Sequence, residues 1–323
     1  MQMNRIAMPL LVIMGMSEID WQRQSPCYLI GDPGILGMPV WIKRDDLLHP
    51  QISGNKFRKL KYPLQALKHD AVRHGQRPCL VTMGGIWSNH LHATAYAAAL
   101  SGYASVGLVR GVEGMTSATL EDCRAQGMQI HFVDRMTYRT LRDDPAVWPG
   151  LAGLAPDTEA VWLPEGGSAP SALHGVAELI DELPFIPDSI VVACGTAATM
   201  AGLLAGLKGR GRVTGIAVLN NAEYLHGEVA RLLCQAGYPA YTNYQLHTNY
   251  HHGGYAKVTP SLRQFCDAFT VQSGVPVEPV YTGKALYALR ELVHAGYFGV
   301  NERVLMLHTG GLQGGRGSLV TLS

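Results

Sequence analysis

Short apolar runs alternate along this chain with stretches whose apolar residues return every three or four positions. Tyr28-Leu29-Ile30 and Val40-Trp41-Ile42-Lys43 predict short strands around the turn-rich Gly31-Asp32-Pro33-Gly34. Phe57, Leu60, Leu64 and Leu67 follow at i, i+3, i+7 and i+10, the spacing of an amphipathic helix. Residues 79–83 form a compact apolar run closed by Gly84-Gly85, which predicts a buried strand and a tight turn. Ser88-Asn89-His90 then opens a helix carried by Ala93, Ala97 and Leu100 to near Gly102. The alternation continues with strands over 105–109, 129–133 and 161–163 and a helix over 116–126. The stretch 134–158, rich in Arg, Asp and Pro, reads as irregular or partly helical. Beyond it, 173–183 predicts a helix, 189–194 a strand, the residues through Leu207 a helix, and 212–219 a strand. Tyr, His and Asn crowd 238–256, which predicts loop. Helices over 260–269 and 283–295 precede a last strand, 304–307.

Strands alternating with helices, without a fixed-period repeat, predict an α/β protein built on mostly parallel sheets with helices on both faces. Ligands of such sheets sit beyond the carboxyl ends of the strands. The glycine-rich turns at 84–85, 166–168, 195–199 and 310–311 all follow strands, so they can converge on one crevice.

Composition narrows the class. A chain of 323 residues holds one large or two medium domains. With 47% hydrophobic and 16% charged residues it has the make-up of a globular protein rather than a disordered one. A formal net charge of +1 and the lack of a Lys/Arg run argue against a nucleic-acid partner. The six cysteines are scattered, with no Cys-x-x-Cys pair, and read as free thiols of a cytoplasmic protein. The apolar run 8–16 is too short to span a membrane and makes a poor signal peptide. It reads as a buried N-terminal segment.

Candidate chemistry gathers at the turns. Lys43-Arg44-Asp45-Asp46 leads into Ser53-Gly54-Asn55-Lys56, where Ser53 or Asn55 can cap the helix and Lys56 falls in its first turn. The positive end of the helix dipole disfavours an ammonium there, and a neutral amine can form a Schiff base with an aldehyde. The alternative is that Lys56 joins Lys59, Lys61 and Lys68 on a solvated helix face. Gly195-Thr196-Ala197-Ala198-Thr199 joins a strand to a helix with small residues and two hydroxyls, a physical case for one phosphate group. It lacks the Lys-[Ser/Thr] of a P-loop, and an ordinary tight turn is the other reading. Ser88-Asn89-His90 can hold a carboxylate or act as a plain N-cap. Val280-Tyr281-Thr282-Gly283-Lys284 and His308-Thr309-Gly310-Gly311 set hydroxyls beside glycine. His251-His252 lacks a partner at ligand spacing, so no metal is expected.

Taken in order, Ser-Gly-Asn-Lys, Ser-Asn-His, Gly-Thr-Ala-Ala-Thr, Pro-Val-Tyr-Thr-Gly-Lys and His-Thr-Gly-Gly resemble the D-cysteine desulfhydrase/1-aminocyclopropane-1-carboxylate deaminase family of pyridoxal-phosphate enzymes. The resemblance covers roughly 20–315. It implies fold type II: two open, mostly parallel twisted sheets with helices on both faces and pyridoxal 5'-phosphate between two domains. Residues 1–56 plus 166–323 would form the larger domain and 57–165 the smaller, inserted one. Lys56 would form the Schiff base and move the proton. Asn89 would bond the ring hydroxyl, Gly195, Thr196, Ala197, Ala198 and Thr199 would hold the phosphate, and Thr282 and Thr309 would lie near the pyridine nitrogen. Ser88, Asn89 and His90 would embrace the substrate carboxylate, with Ser88 also near the reacting carbons and Tyr281 and Tyr255 bordering a small amino-acid substrate. The family tends to dimerise, which makes a homodimer possible, although the chain carries no interface pattern.

Three positions depart from or divide the family. Thr282 stands where the deaminases typically carry glutamate. A neutral hydroxyl keeps the pyridine nitrogen protonated less well than a carboxylate, which suits β-elimination of thiolate better than cyclopropane opening. The implied reaction is therefore conversion of D-cysteine to pyruvate, sulfide and ammonia, with 1-aminocyclopropane-1-carboxylate deamination as the alternative. Trp87, where glutamine is usual, and Glu165, not the usual desulfhydrase residue, bear on the substrate rather than the cofactor. A protein that binds the cofactor, an amino acid or another phosphate ligand with little catalysis is the reading from a different class.

Overall fold

The computed structural model describes residues 19–30 and 34–313. The chain runs β1 (Cys27–Ile30), β2 (Val40–Arg44), α1 (Asn55–His74), β3 (Arg77–Gly85), α2 (Asn89–Ser101), β4 (Ala104–Arg110), α3 (Ala118–Ala125), β5 (Gln129–Val133), α4 (Arg135–Asp143), α5 (Trp148–Ala152) and β6 (Thr158–Leu163). It continues through α6 (Ala172–Asp181), β7 (Ser189–Cys194), α7 (Ala198–Leu207), β8 (Arg212–Ala217), α8 (Leu225–Gln235), β9 (Tyr244–His247), α9 (Pro260–Ser273), α10 (Thr282–His294) and β10 (Val304–His308).

Two sheets result. The larger has the order β1-β2-β10-β7-β8-β9 and is parallel except where β1 meets β2; the smaller, β5-β4-β3-β6, is wholly parallel. The expected α/β class with mostly parallel sheets holds. β7 and β10 are buried along their whole length, which explains their unbroken apolar runs: a parallel sheet covered on both faces has no polar side to show. One face of the larger sheet packs on α6, α7 and α8, the other on α9 and α10. Every residue of α7 is buried. Its Gly202 and Gly206 let α6 approach, since a Cβ at either would come within 2.5 Å of Val176 or of the Ala177 carbonyl oxygen.

Several local expectations change. The stretch 238–256 contains β9, a short edge strand whose Tyr-Gln-Leu-His hides its pairing with β8 behind polar residues. Helix α8 has no counterpart in the expectation. The run 8–16 and positions 31–33 of the expected turn lie outside the described residues. Lys59 and Lys61 are buried rather than on a solvated face, at 1% and 5% exposure.

The charged segment before α1 is also buried. Arg58 of α1 reaches Asp45 (2.6 Å) and Glu182 (2.7 Å), and Glu182 also pairs with Lys43 (2.6 Å). Ser25 donates to Asp45 and its carbonyl accepts from Lys43. This network ties α1 to β2 and to the end of α6. Arg44 pairs with Asp46, which stands 3.6 Å from His308 Nδ1 at the end of β10.

Candidate active site

Helix α1 begins at a forced backbone position. Its N-cap is Gly54 at φ 63°, and no side chain caps it, so neither Ser53 nor Asn55 plays the expected capping role. A Cβ at Gly54 would lie 1.8 Å from the Thr309 carbonyl oxygen; only glycine permits both the angle and the approach. The Asn55 N–H donates to that same carbonyl. The loop after β10 and the start of α1 are therefore locked together.

Lys56 follows at once. Its Nζ donates to Asn55 Oδ1 (3.1 Å), and Asn55 Nδ2 donates to Thr199 Oγ1 (2.8 Å). One amide side chain thus bridges the lysine to the 195–199 turn. The amine is enclosed by protein atoms, and burial lowers its pKa from 10.5 to about 8. The cause is desolvation by burial, whereas the expectation from sequence rested on the helix dipole.

Thr199 and Ala198 open α7, Ala197 is its N-cap, and no side chain caps this end, which leaves the helix N-terminus to a ligand. A Cβ at Gly195 would meet the Tyr281 ring at 2.9 Å, and one at Gly166 would meet the Thr196 side chain at 2.9 Å. Lys59, one turn beyond Lys56, points its Nζ at the Gly166 carbonyl oxygen (3.1 Å). Burial, with the neighbouring Lys56 charge, pushes its pKa well below the usual lysine value. An anion held at this turn would favour the charged form of Lys59. Sequence reasoning missed Lys59 as a site residue; its i+3 spacing from Lys56 was the available signal.

Across the crevice, Ser88 Oγ caps α2 by accepting from the Leu91 N–H (3.2 Å), so the plain capping reading of Ser88 is realised. Asn89 lies against Gly311, whose Cβ would come within 2.8 Å of Asn89 Nδ2; His90 lies against Gly167 at 3.0 Å. Burial, then the charges of Lys56 and Lys59, drives the His90 pKa well down, so its imidazole is neutral.

Tyr281 and Thr282 begin α10. Glu278, which drew no notice in the sequence, accepts from the N–H groups of Val280, Tyr281 and Thr282 at 2.6–3.0 Å. Burial raises its pKa to about 7 against the pull of those donors. Lys284 donates to the carbonyls of Val218 and Gly254, holding the loop that carries Tyr255, and the Tyr281 hydroxyl donates to that of Tyr255 (3.1 Å). His308 bonds the Pro276 carbonyl through Nε2 and accepts the Gly310 N–H through Nδ1, fixing the loop around Thr309. The sequence-expected residues are brought together. His251-His252 stands apart: His252 bonds Thr259 and packs on Tyr287.

Buried polar atoms without partners among the described residues mark what such a crevice would receive. They include Asn89 Oδ1, both His90 ring nitrogens, Thr282 Oγ1 and Ser168 Oγ. Burying such groups unpaired is costly, so together with two buried amines and an uncapped helix end they fit a polar, anionic, carbonyl-bearing ligand.

Comparison with known proteins identifies the family. The sequence pattern of the family described as "Pyridoxal-phosphate dependent enzyme" matches residues 20–310. The chain is 31% identical to a D-cysteine desulfhydrase of Salmonella newport over 85% of this chain and 88% of the relative. It is 30% identical to a mitochondrial bifunctional D-cysteine desulfhydrase/1-aminocyclopropane-1-carboxylate deaminase of Arabidopsis thaliana, over 90% and 77%. A crystal structure described as an ACC deaminase homologue superposes with a TM-score of 0.74 at 31% identity, covering 92% of each chain. With the match spanning both sheets and the crevice residues, this chain belongs to the family of pyridoxal-phosphate dependent enzymes.

Proposed function

We propose that the chain acts on a small amino acid and most readily eliminates the β-substituent of D-cysteine, with 1-aminocyclopropane-1-carboxylate deamination as the second reading. The observation that carries the proposal is the Lys56–Asn55–Thr199 chain of hydrogen bonds. It sets a buried, low-pKa amine at a fixed distance from a helix N-terminus suited to one phosphate. Lys56 would hold the cofactor through its amine. Gly195, Thr196, Ala197, Ala198 and Thr199, with Lys59, would hold its phosphate, Asn89 its ring hydroxyl, and Thr282 and Thr309 would lie near its ring nitrogen. Bound pyridoxal phosphate supplies the electron sink that stabilises negative charge at the substrate α-carbon. Ser88, Asn89 and His90 would bind the substrate carboxylate, a neutral His90 donating one hydrogen bond. Tyr281 and Tyr255 would border the side chain, and the Lys56 amine would take the α-proton. The Cα–H and Cβ–S bonds break, water supplies the keto oxygen, and pyruvate, sulfide and ammonia leave.

Thr282 favours elimination over ring opening. It is fully buried, its hydroxyl has no partner among the described residues, and the nearest carboxylate in its own segment, Glu278, is occupied by three backbone N–H groups. Equal yields of pyruvate and sulfide from D-cysteine are the expected result. Production of 2-oxobutyrate from the cyclopropane substrate without sulfide from D-cysteine would replace this reading with the second.

The lowered pKa of Lys56 has a direct consequence. The reactive neutral amine accumulates as pH rises through about 8. At pH 7 about a tenth of it is neutral, against less than about a thousandth for an ordinary lysine. Cofactor uptake by the apo-protein, followed by absorbance, should therefore accelerate between about pH 7 and 9 and level off above. A midpoint near the ordinary lysine value would remove burial as the activating cause.

We further propose that the two sheets mark two domains, 1–56 plus 166–323 and 57–165, with the crevice between them. No described helix is long and apolar enough to cross a membrane. Six unpaired cysteines favour a cytoplasmic location, and the family resemblance favours a homodimer.

A further inference from the structure

Glu165 stands at the end of β6, immediately before the two glycines that border the site. Gly166 abuts Thr196 of the phosphate turn, and Gly167 abuts His90. The segment 165–167 therefore runs along the wall from Tyr138 to the crevice. Tyr138 donates its hydroxyl to Glu165 Oε1 (2.6 Å), and Oε2 has no hydrogen bond among the described residues. Arg110 lies over the Tyr138 ring (5.5 Å) and forms no ion pair with Glu165 among the described residues. Tyr281 and Tyr255, joined through their hydroxyls, face the same region. Burial raises both phenol pKa values, the negative charge of Glu165 adds to the rise in each, and the positive charge of Arg110 opposes it at Tyr255.

We infer that Glu165, oriented by Tyr138, is a specificity-determining residue that selects amino acids whose β-substituent is a cation or a proton donor and rejects anionic ones. The inference rests on the proposed function, because it takes Tyr281 and the phosphate turn to border the substrate. Its physical basis is the position of one unpaired carboxylate oxygen on a partly enclosed wall. A β-ammonium gains a charge-assisted hydrogen bond there, a thiol or hydroxyl gives a neutral donor, and a sulfonate or phosphate meets like charge. The Tyr138 hydrogen bond holds the carboxylate in place, so little side-chain entropy opposes the contact.

The test uses the cofactor-loaded protein and rapid-mixing titration of the cofactor absorbance, which reads binding before turnover. The probes are 2,3-diaminopropionate, serine and cysteate, each in both enantiomers. Diaminopropionate should bind about tenfold or more tighter than cysteate, with serine between. Glu165→Gln retains an acceptor for Tyr138 while removing the charge. It should shrink the ratio to about threefold or less, chiefly by improving cysteate. Tyr138→Phe should reduce the ratio in the same direction and by less. An unchanged ratio in Glu165→Gln, or tighter binding of cysteate by the unaltered protein, overturns the inference. Sulfide release from D-cysteine by the unaltered protein tests the proposed function separately. Its absence with the binding order intact removes that reaction and keeps the selectivity.

Discussion

Replacement of Lys56 by alanine is expected to lower turnover by about 10³–10⁴-fold and to leave a protein that loses its cofactor colour on dialysis. The size of the effect follows from two proposed roles falling on one amine. Lys56 would hold the cofactor, and its freed amine would take the α-proton, a proton transfer that alone accounts for about 10²–10⁴-fold. The fold offers no second amine in the same place. Lys59 lies one turn further along α1 and is directed to the Gly166 carbonyl, whereas Lys56 is directed through Asn55 to Thr199. Mass spectrometry after borohydride reduction of the loaded protein checks the assignment. The unaltered protein should carry the added mass on the peptide containing Lys56, and Lys56→Ala should carry none. Retention of the label in Lys56→Ala would transfer the role to Lys59.

The second large effect is on stability. Arg58→Met should destabilise the fold by about 3–5 kcal/mol, because removing one partner of a buried charge network leaves the others uncompensated. Arg58 and Asp45 are 4% and 0% exposed and Glu182 9%, so water cannot replace the lost guanidinium. Burial, the largest influence, acts to raise the Glu182 pKa, but the charge and hydrogen bonds of Arg58, and then of Lys43, hold it below the ordinary value. For a chain of this length unfolding as one unit, the loss corresponds to a melting temperature lower by about 4–7 °C. Lys61→Met is the comparison. Lys61 pairs with Glu178 at 2.7 Å, but Glu178 is 35% exposed, so water screens the pair and the expected cost is below about 1 kcal/mol. Equal losses in the two variants would show that burial does not decide the strength of these pairs.

The candidate site was legible in the sequence to the extent that its parts are local. Gly195 to Thr199 announces itself as a strand-to-helix turn of small residues, and Ser88-Asn89-His90 as a helix start, because caps and turns draw on residue types within a few positions of one another. The ordered set of such motifs carried the family resemblance. Ser53 and Asn55 were misjudged for the same reason: both are good capping residues, and nothing local reveals that the Thr309 carbonyl lies where only Gly54 fits. Lys59 was misjudged because lysines are mostly exposed. The apolar residues of α1 do define a buried face, yet α6 and the 166–167 turn cover enough of the helix to enclose lysines beside it.

By itself, then, the sequence determined the alternation of strands and helices, the parallel character of the sheets and the presence of a lysine, a small-residue strand-to-helix turn and a Ser-Asn-His helix start in a family-specific order. Hydrophobic period and turn chemistry are short-range properties, so they survive in a linear reading. Only the tertiary structure decided which groups meet. Asn55 bridges to Thr199 across 144 positions, and Lys59 reaches Gly166 across 107. Tyr138 reaches Glu165 across 27. The low pKa of Lys56 belongs to the same class, since desolvation is created by all the segments that close around an amine and is written in none of them.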